Sequence, residues 1–168
     1  MLFRSGVSIY STGLSADKTL TEGDNIQLYF NDVETNLGGI VTASGSLAAG
    51  STFTIASGKA GRYRVDLTVG IQSTGTLAST WQVDGWITVN NVEKERVTKD
   101  GTVTGLSSPA TSYRSFTVTF IGYFREGATI ECFAKHVSSS VGITSIKANA
   151  IDKTSTSGED TTFTITKI

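Results

Sequence analysis

The chain has 168 residues and a formal net charge of −1. That length supports one domain with a real core, and that charge gives no long-range pull toward nucleic acid or an anionic membrane. A single cysteine, Cys132, excludes an intramolecular disulfide framework and a Cys-rich zinc site. With 18 glycines, one proline and Ser plus Thr at roughly a quarter of the residues, the composition points to many strands joined by tight turns.

Residues 1–18 read as an irregular lead-in with a short strand at Val7-Ser8-Ile9-Tyr10. Leu2, Phe3, Val7, Ile9 and Tyr10 make this segment either an arm that docks on a larger structure or an edge strand that closes the domain. Met1-Leu2-Phe3-Arg4 lacks the basic start and apolar run of a secretion signal, and no later run is long enough to span a bilayer. The expectation is a soluble product made in a cytoplasm. Residues 19–168 read as a single domain.

Asn25 to Val33 alternates, with Ile26, Leu28 and Phe30 on one face and Gln27, Tyr29 and Asn31 on the other. Asn36–Gly39 reads as a loop, Ile40-Val41 as a short strand and Gly45–Gly50 as a small, flexible connection. Thr52 to Ile55 alternates briefly before a turn at Ser57-Gly58. Then comes the most regular strand: Tyr63, Val65, Leu67, Val69 and Ile71 share one face, and Arg62, Arg64, Asp66, Thr68 and Gly70 the other. Such alternation places one face on a core and the other on water or a partner.

Ser73 to Ser79 is turn-rich. Thr80 to Asn90 is a strand with Trp81, Val83, Ile87 and Val89 inward, and Gln82, Asp84, Trp86 and Thr88 outward; Gly85 allows a bend or bulge. Asn90-Asn91 suits a two-residue hairpin turn, because Asn tolerates positive φ. Val92 to Lys99 returns as a charged, solvated strand whose Glu93-Lys94-Glu95-Arg96 run discourages edge pairing. After a loop from Asp100 to Thr111, Phe116, Val118 and Phe120 face inward, and Tyr113, Ser115, Thr117, Thr119, Ile121 and Tyr123 face outward. Glu126-Gly127 turns the chain into Thr129–His136, where Ile130, Cys132 and Ala134 point in and Glu131, Phe133 and Lys135 point out. Strands at Gly142–Ile151 and Thr161–Ile168 follow, separated by a polar loop at Thr154–Asp160. The total is about eight to ten strands, at the spacing of an all-β sandwich or jelly roll.

The order of these pieces resembles the jelly-roll heads of the tumour necrosis factor and complement globular-head superfamily. Phe53 followed by Ala60-Gly61-Arg62-Tyr63-Arg64-Val65 is similar to that family's aromatic and Gly-x-Tyr-x-Val signature. Trp86-Ile87-Thr88-Val89-Asn90-Asn91, Phe116-Thr117-Val118, Glu126-Gly127-Ala128-Thr129-Ile130 and Phe163-Thr164-Ile165 are similar to its later strands in order. The resemblance spans roughly Ile26 to Ile168. It implies an antiparallel jelly-roll β-sandwich and a homotrimer around a threefold axis. The chain lacks a stalk, a disulfide and a secretion signal, so it fits better with the related jelly-roll heads of bacteriophage virion proteins, an analogy of fold.

The residues give their own reason to suspect self-association. Trp86, Tyr113, Ile121, Tyr123 and Phe133 are large and face away from the inferred core, and aromatic side chains are enriched at interface centres. The competing reading is a face misassigned at a bulge.

Catalytic chemistry finds little footing. His136 is the sole histidine, and Ser138, Ser139 and Ser140 nearby lack a nucleophile-elbow pattern. Glu22-Gly23-Asp24 and Glu159-Asp160 lack the pattern of a calcium loop, and solvated turns explain them better. Cys132 reads as a small buried hydrophobe. The expectation is therefore a protein that is not an enzyme, with no cofactor, no metal and no nucleic-acid or membrane partner. It would be a trimeric jelly roll decorating or cementing a bacteriophage capsid, gripping the shell through its arm and partnered by itself and by a major capsid or other virion protein. The alternative is a trimeric fibre-tip head that binds a host-surface glycan or protein receptor through loops Thr74–Ser79, Gly101–Thr111 and Val137–Val141. Either way the protein would sit on the virion surface.

Overall fold

The computed structural model describes residues 8–150 and 160–168. Leu2, Phe3 and Val7 of the expected arm lie outside the described residues, as do Ile151 and the polar loop from Thr154 up to Glu159. In chain order the first strands are β1 (Ile9–Gly13), β2 (Lys18–Thr19), β3 (Ile26–Gln27), β4 (Asp32–Leu37), β5 (Val41–Ser46), β6 (Gly50–Ile55) and β7 (Gly61–Gly75). There follow β8 (Thr80–Val89), β9 (Val92–Thr102), β10 (Ala110–Phe124), β11 (Thr129–Ser139), β12 (Ile143–Ala148) and β13 (Thr162–Lys167). There is no helix among the described residues.

The strands form two antiparallel sheets packed as a jelly-roll-like sandwich. In the seven-stranded sheet, β10 runs along the whole of β7, whose other edge is shared by β13 and β12. β1 and then β4 lie beyond β13, and β2 beyond β12. The six-stranded sheet has the order β5-β6-β11-β8-β9, with β3 also on β11. Thus β10 and β9 are edge strands on the same flank of the sandwich, and β4 is the far edge of the first sheet.

The alternation in β7 explains its central place. Tyr63, Val65, Leu67, Val69 and Ile71 are fully buried, and each such aliphatic side chain contributes about 1.5–3 kcal/mol as an upper estimate. They meet the inward side chains of β8 and β11, Val83, Ile87, Ile130, Cys132 and Ala134. Phe53 and Phe163 stack at 4.1 Å between centroids, with Phe30 and Tyr10 tilted against Phe53. Gly85 serves close approach: a Cβ there would stand 2.8 Å from the Phe116 ring, so the absent side chain seats Phe116 across the sandwich. The bulge in this hairpin falls elsewhere, between Ile87 and Thr88.

Several boundaries differ from expectation because hydrogen bonding, not hydropathy, sets them. Leu28 and Phe30 are buried as their alternation requires, but Asn25–Val33 is not one strand. Leu28 N donates to Cys132 O, while the Ser51 hydroxyl accepts from Phe30 N at 2.8 Å and donates to Phe30 O at 3.2 Å. A side chain there takes the place of a ladder partner. The expected loop at Asn36 is strand through Leu37, because β1 pairs Ile9 with Leu37. The expected flexible Gly45–Gly50 connection is mostly the β5–β6 hairpin. Asp100–Thr111 shrinks from both ends, since Thr102 pairs with Thr80 and Ala110 with Gly75. Asn90 and Asn91 do form the two-residue turn, both with positive φ, 51° and 62°.

The lead-in also needs correction for its two described members. Ile9 and Tyr10 are not a projecting arm: β1 pairs with β13 on one side and β4 on the other. Tyr10 lies in the core, where burial raises its phenol pKa. The alternative of an edge strand is corrected too: β1 lies inside its sheet, between β13 and β4, and β4 is the edge.

Candidate functional site

β10 and β7 pair in unbroken register from Ala110 opposite Gly75 to Phe124 opposite Gly61. This puts Tyr113, Ser115, Thr117, Thr119, Ile121 and Tyr123 on the outward face, beside Gln72, Gly70, Thr68, Asp66, Arg64 and Arg62. The middle of this face is a hydroxyl surface: Thr68 and Thr117 bond at 3.0 Å, and Thr119 Oγ1 donates to Asp66 Oδ1 at 2.6 Å. Asp66 also accepts from Arg64 Nε at 2.8 Å. Apolar side chains stand uncovered at either end, Tyr113 at 37% exposure, Ile121 at 48% and Tyr123 at 72%. Because β10 is an edge strand, nothing among the described residues shields them from its far side.

Trp86 and Phe133 do not belong to this surface. They point outward from the other sheet, where β8 and β11 pair Trp86 with Phe133. Their rings stack at 5.1 Å and 7°. Arg96 from β9 lies 4.1 Å from the centre of the Trp86 ring, a cation–π contact. Its guanidinium is held by Glu93 at 2.6 Å and Asp84 at 2.8 Å, and Thr98 Oγ1 donates to Asp84 at 2.7 Å. The Arg96 hydrogen bond holds the Glu93 carboxyl below its ordinary pKa. Trp86 is thereby only 5% exposed. The five residues expected to make one interface divide into three that are open and two that cover each other.

A second region gathers at the end of the sandwich where β7 meets β8. The three loops expected there do come together: Ala78 N donates to Val103 O, Thr76 N to Gly142 O, and Thr80 N to Ser140 Oγ. Below them, Thr80, Gln82, Asp100, Thr102, Ser138 and Ser140 border a polar groove of about 560 Å³. Leu106 and Val141 stand fully exposed on the loop tips and Leu77 partly so, positions with no periodic signal in the sequence.

His136 is buried, and its Nε2 has no hydrogen-bond partner. Glu22 Oε2 stands 4.0 Å away and accepts instead from Ser139 Oγ at 3.4 Å. Ser140 Oγ is taken by the Thr80 amide, so the histidine and the hydroxyls do not form a nucleophile–base pair here. Cys132 is wholly buried, and desolvation pushes its thiol pKa up, which disfavours the reactive thiolate. Among the described residues, no group of three or more His, Cys, Asp or Glu side chains is placed to hold a metal ion. No helix among them is long and apolar enough to cross a membrane.

The fold places the chain among all-β antiparallel sandwiches of jelly-roll-like build. Comparison with protein-family models and with curated proteins finds no match.

Proposed function

We propose that this is a non-enzymatic virion structural protein, a homotrimeric jelly roll that decorates or cements a bacteriophage capsid. The observation that carries the reading is the open outward face of β10 and β7, with Tyr113, Ile121 and Tyr123 uncovered on a long edge strand. An exposed strand edge and uncovered aromatics are surfaces that soluble proteins normally protect or pair. Burying them between protomers needs no cofactor and no reaction. The described chain begins at the end of the sandwich that carries Tyr123, since Ser8 O accepts from Lys167 N and Arg62 O from Ile168 N. On this reading Leu2, Phe3 and Val7, which lie outside the described residues, would grip the shell.

The clustered loops and their polar groove favour one alternative, a trimeric fibre-tip head that binds a host-surface glycan or protein. Sandwich loops gathered at one end are a common recognition surface.

The first test is native mass by light scattering across a concentration series. The capsid reading expects a mass of three protomers, and an antibody against the purified chain that labels the outside of isolated phage particles. A monomer at tens of micromolar would remove the trimer, and label confined to fibre tips would favour the alternative.

A further inference from the structure

A ring with threefold symmetry cannot join a patch to itself; each contact must pair two different patches of one chain. Two such patches stand on opposite edges of the β10-to-β4 sheet. The first is a groove of about 440 Å³ between the ends of β9 and β10, with Val92, Phe120 and Tyr123 among its apolar lining. Lys94 and Arg125 also line it, and no Asp or Glu does. Among the described residues neither cation forms an ion pair. Of the carboxylates next to them in sequence, Glu93 is held by Arg96 and Glu126 by the Gly58 amide, while Glu95 stands exposed beside Lys94.

The second patch is the free edge of β4. Leu37 is 54% exposed there, with Glu34 exposed on the same strand. β4 carries Asp32 and Glu34 and no lysine or arginine, and Glu34 accepts from Ser11 Oγ at 3.2 Å. An apolar side chain flanked by acid on one edge thus matches an apolar groove flanked by bases on the other.

Leu37 also lies close to the level of the groove's apolar lining, Phe120 and Tyr123, while Arg125 lies further along. Leu37 pairs with Ile9, Ile9 with Thr166, Thr166 with Arg64, and Arg64 with Ile121. Leu37 and Ile121 therefore lie on one cross-strand row, about 19 Å apart at ordinary strand spacing. Patches at one level allow a rotation without rise, which closes a ring, whereas an offset would generate a filament.

We infer that a second copy of this chain is the occupant of the β9–β10 groove, entering with Leu37 and Glu34 of its β4 edge in a head-to-tail contact. This rests on the trimeric reading above and specifies its contact. Opposed charge sets the register and speeds encounter, while burial of Leu37 supplies the apolar contact.

Charge exchange tests it. Lys94→Glu with Arg125→Glu should raise the concentration for half-dissociation of the trimer at least tenfold, and Glu34→Lys alone should raise it less. Joining all three changes in one chain should restore most of the assembly, because each protomer carries both patches. A trimer indifferent to these changes, or no recovery in the combined variant, overturns the contact and leaves the trimer standing; a monomeric wild type removes both. If the groove variant fails to fold, a chain carrying Leu37→Cys and Tyr123→Cys decides instead. The native Cys132 is free and buried, so a short thiol crosslinker should link the introduced cysteines of neighbouring protomers up to trimers. Only intramolecular or no crosslinks in a trimeric sample would sink the head-to-tail contact.

Discussion

Tyr123 on one sheet and Trp86 on the other both point away from the core, yet one is 72% exposed and the other 5%. The difference lies in their neighbours. Tyr123 sits on an edge strand whose one ladder partner offers Arg62, a side chain that leaves the ring open. Trp86 sits on an inner strand, flanked by Phe133 on β11 and Arg96 on β9. A large outward side chain on an inner strand can be covered by both neighbours within its own sheet. One on an edge has at most half of that cover and is open to a partner.

The largest effect should separate the two faces cleanly. Ile121→Asp with Tyr123→Asp is expected to raise the half-dissociation concentration of the trimer a hundredfold or more, measured by sedimentation, with unfolding of the protomer nearly unchanged. Trp86→Ala should do the reverse. It leaves the native mass alone and lowers protomer stability by about 3 kcal/mol, toward the usual range for losing a buried aromatic, read from denaturant unfolding. Trimer loss in Trp86→Ala without destabilisation would overturn the contrast.

Smaller changes sharpen it. Arg96→Met keeps much of the covering stem while removing the cation and both ion pairs. It should cost about 1 kcal/mol, given the modest value of partly exposed pairs and cation–π contacts. The smallest effect is in pH. Glu93 has its folded pKa lowered by Arg96, so its contribution is present above the ordinary carboxylate pKa and is lost as pH falls through the folded value. The stability gap between wild type and Arg96→Met should therefore narrow on acidification. A gap that widens in acid would show that Glu93 is not the main partner.

The hairpin between β8 and β9 shows why the covered pair was hidden in the sequence. A regular two-residue turn at Asn90-Asn91 would place Glu95 opposite Trp86. In the structure Glu93 pairs with Thr88 and Glu95 with Ile87, so Lys94 is the extra residue and Arg96 arrives opposite Trp86. A bulge leaves no reliable mark in a run such as Glu93-Lys94-Glu95-Arg96. Tyr113, Ile121 and Tyr123 had no such obstacle, because β10 pairs with β7 without interruption. Leu37 was unreadable as an edge residue for another reason, since its strand exists only through pairing with β1, distant in sequence.

By itself the sequence determined the fold class, the inward faces of β7, β8, β10 and β11, the Asn90-Asn91 turn and the burial of Cys132. These follow from local alternation and backbone preference, which each segment carries with it. Only the tertiary structure decided which strands are edges, that Tyr10 belongs to the core, and that Trp86 is sheltered while Tyr123 is not. Strand order, bulges and side-chain hydrogen bonds such as that of Ser51 depend on contacts between distant segments, and no local pattern encodes them.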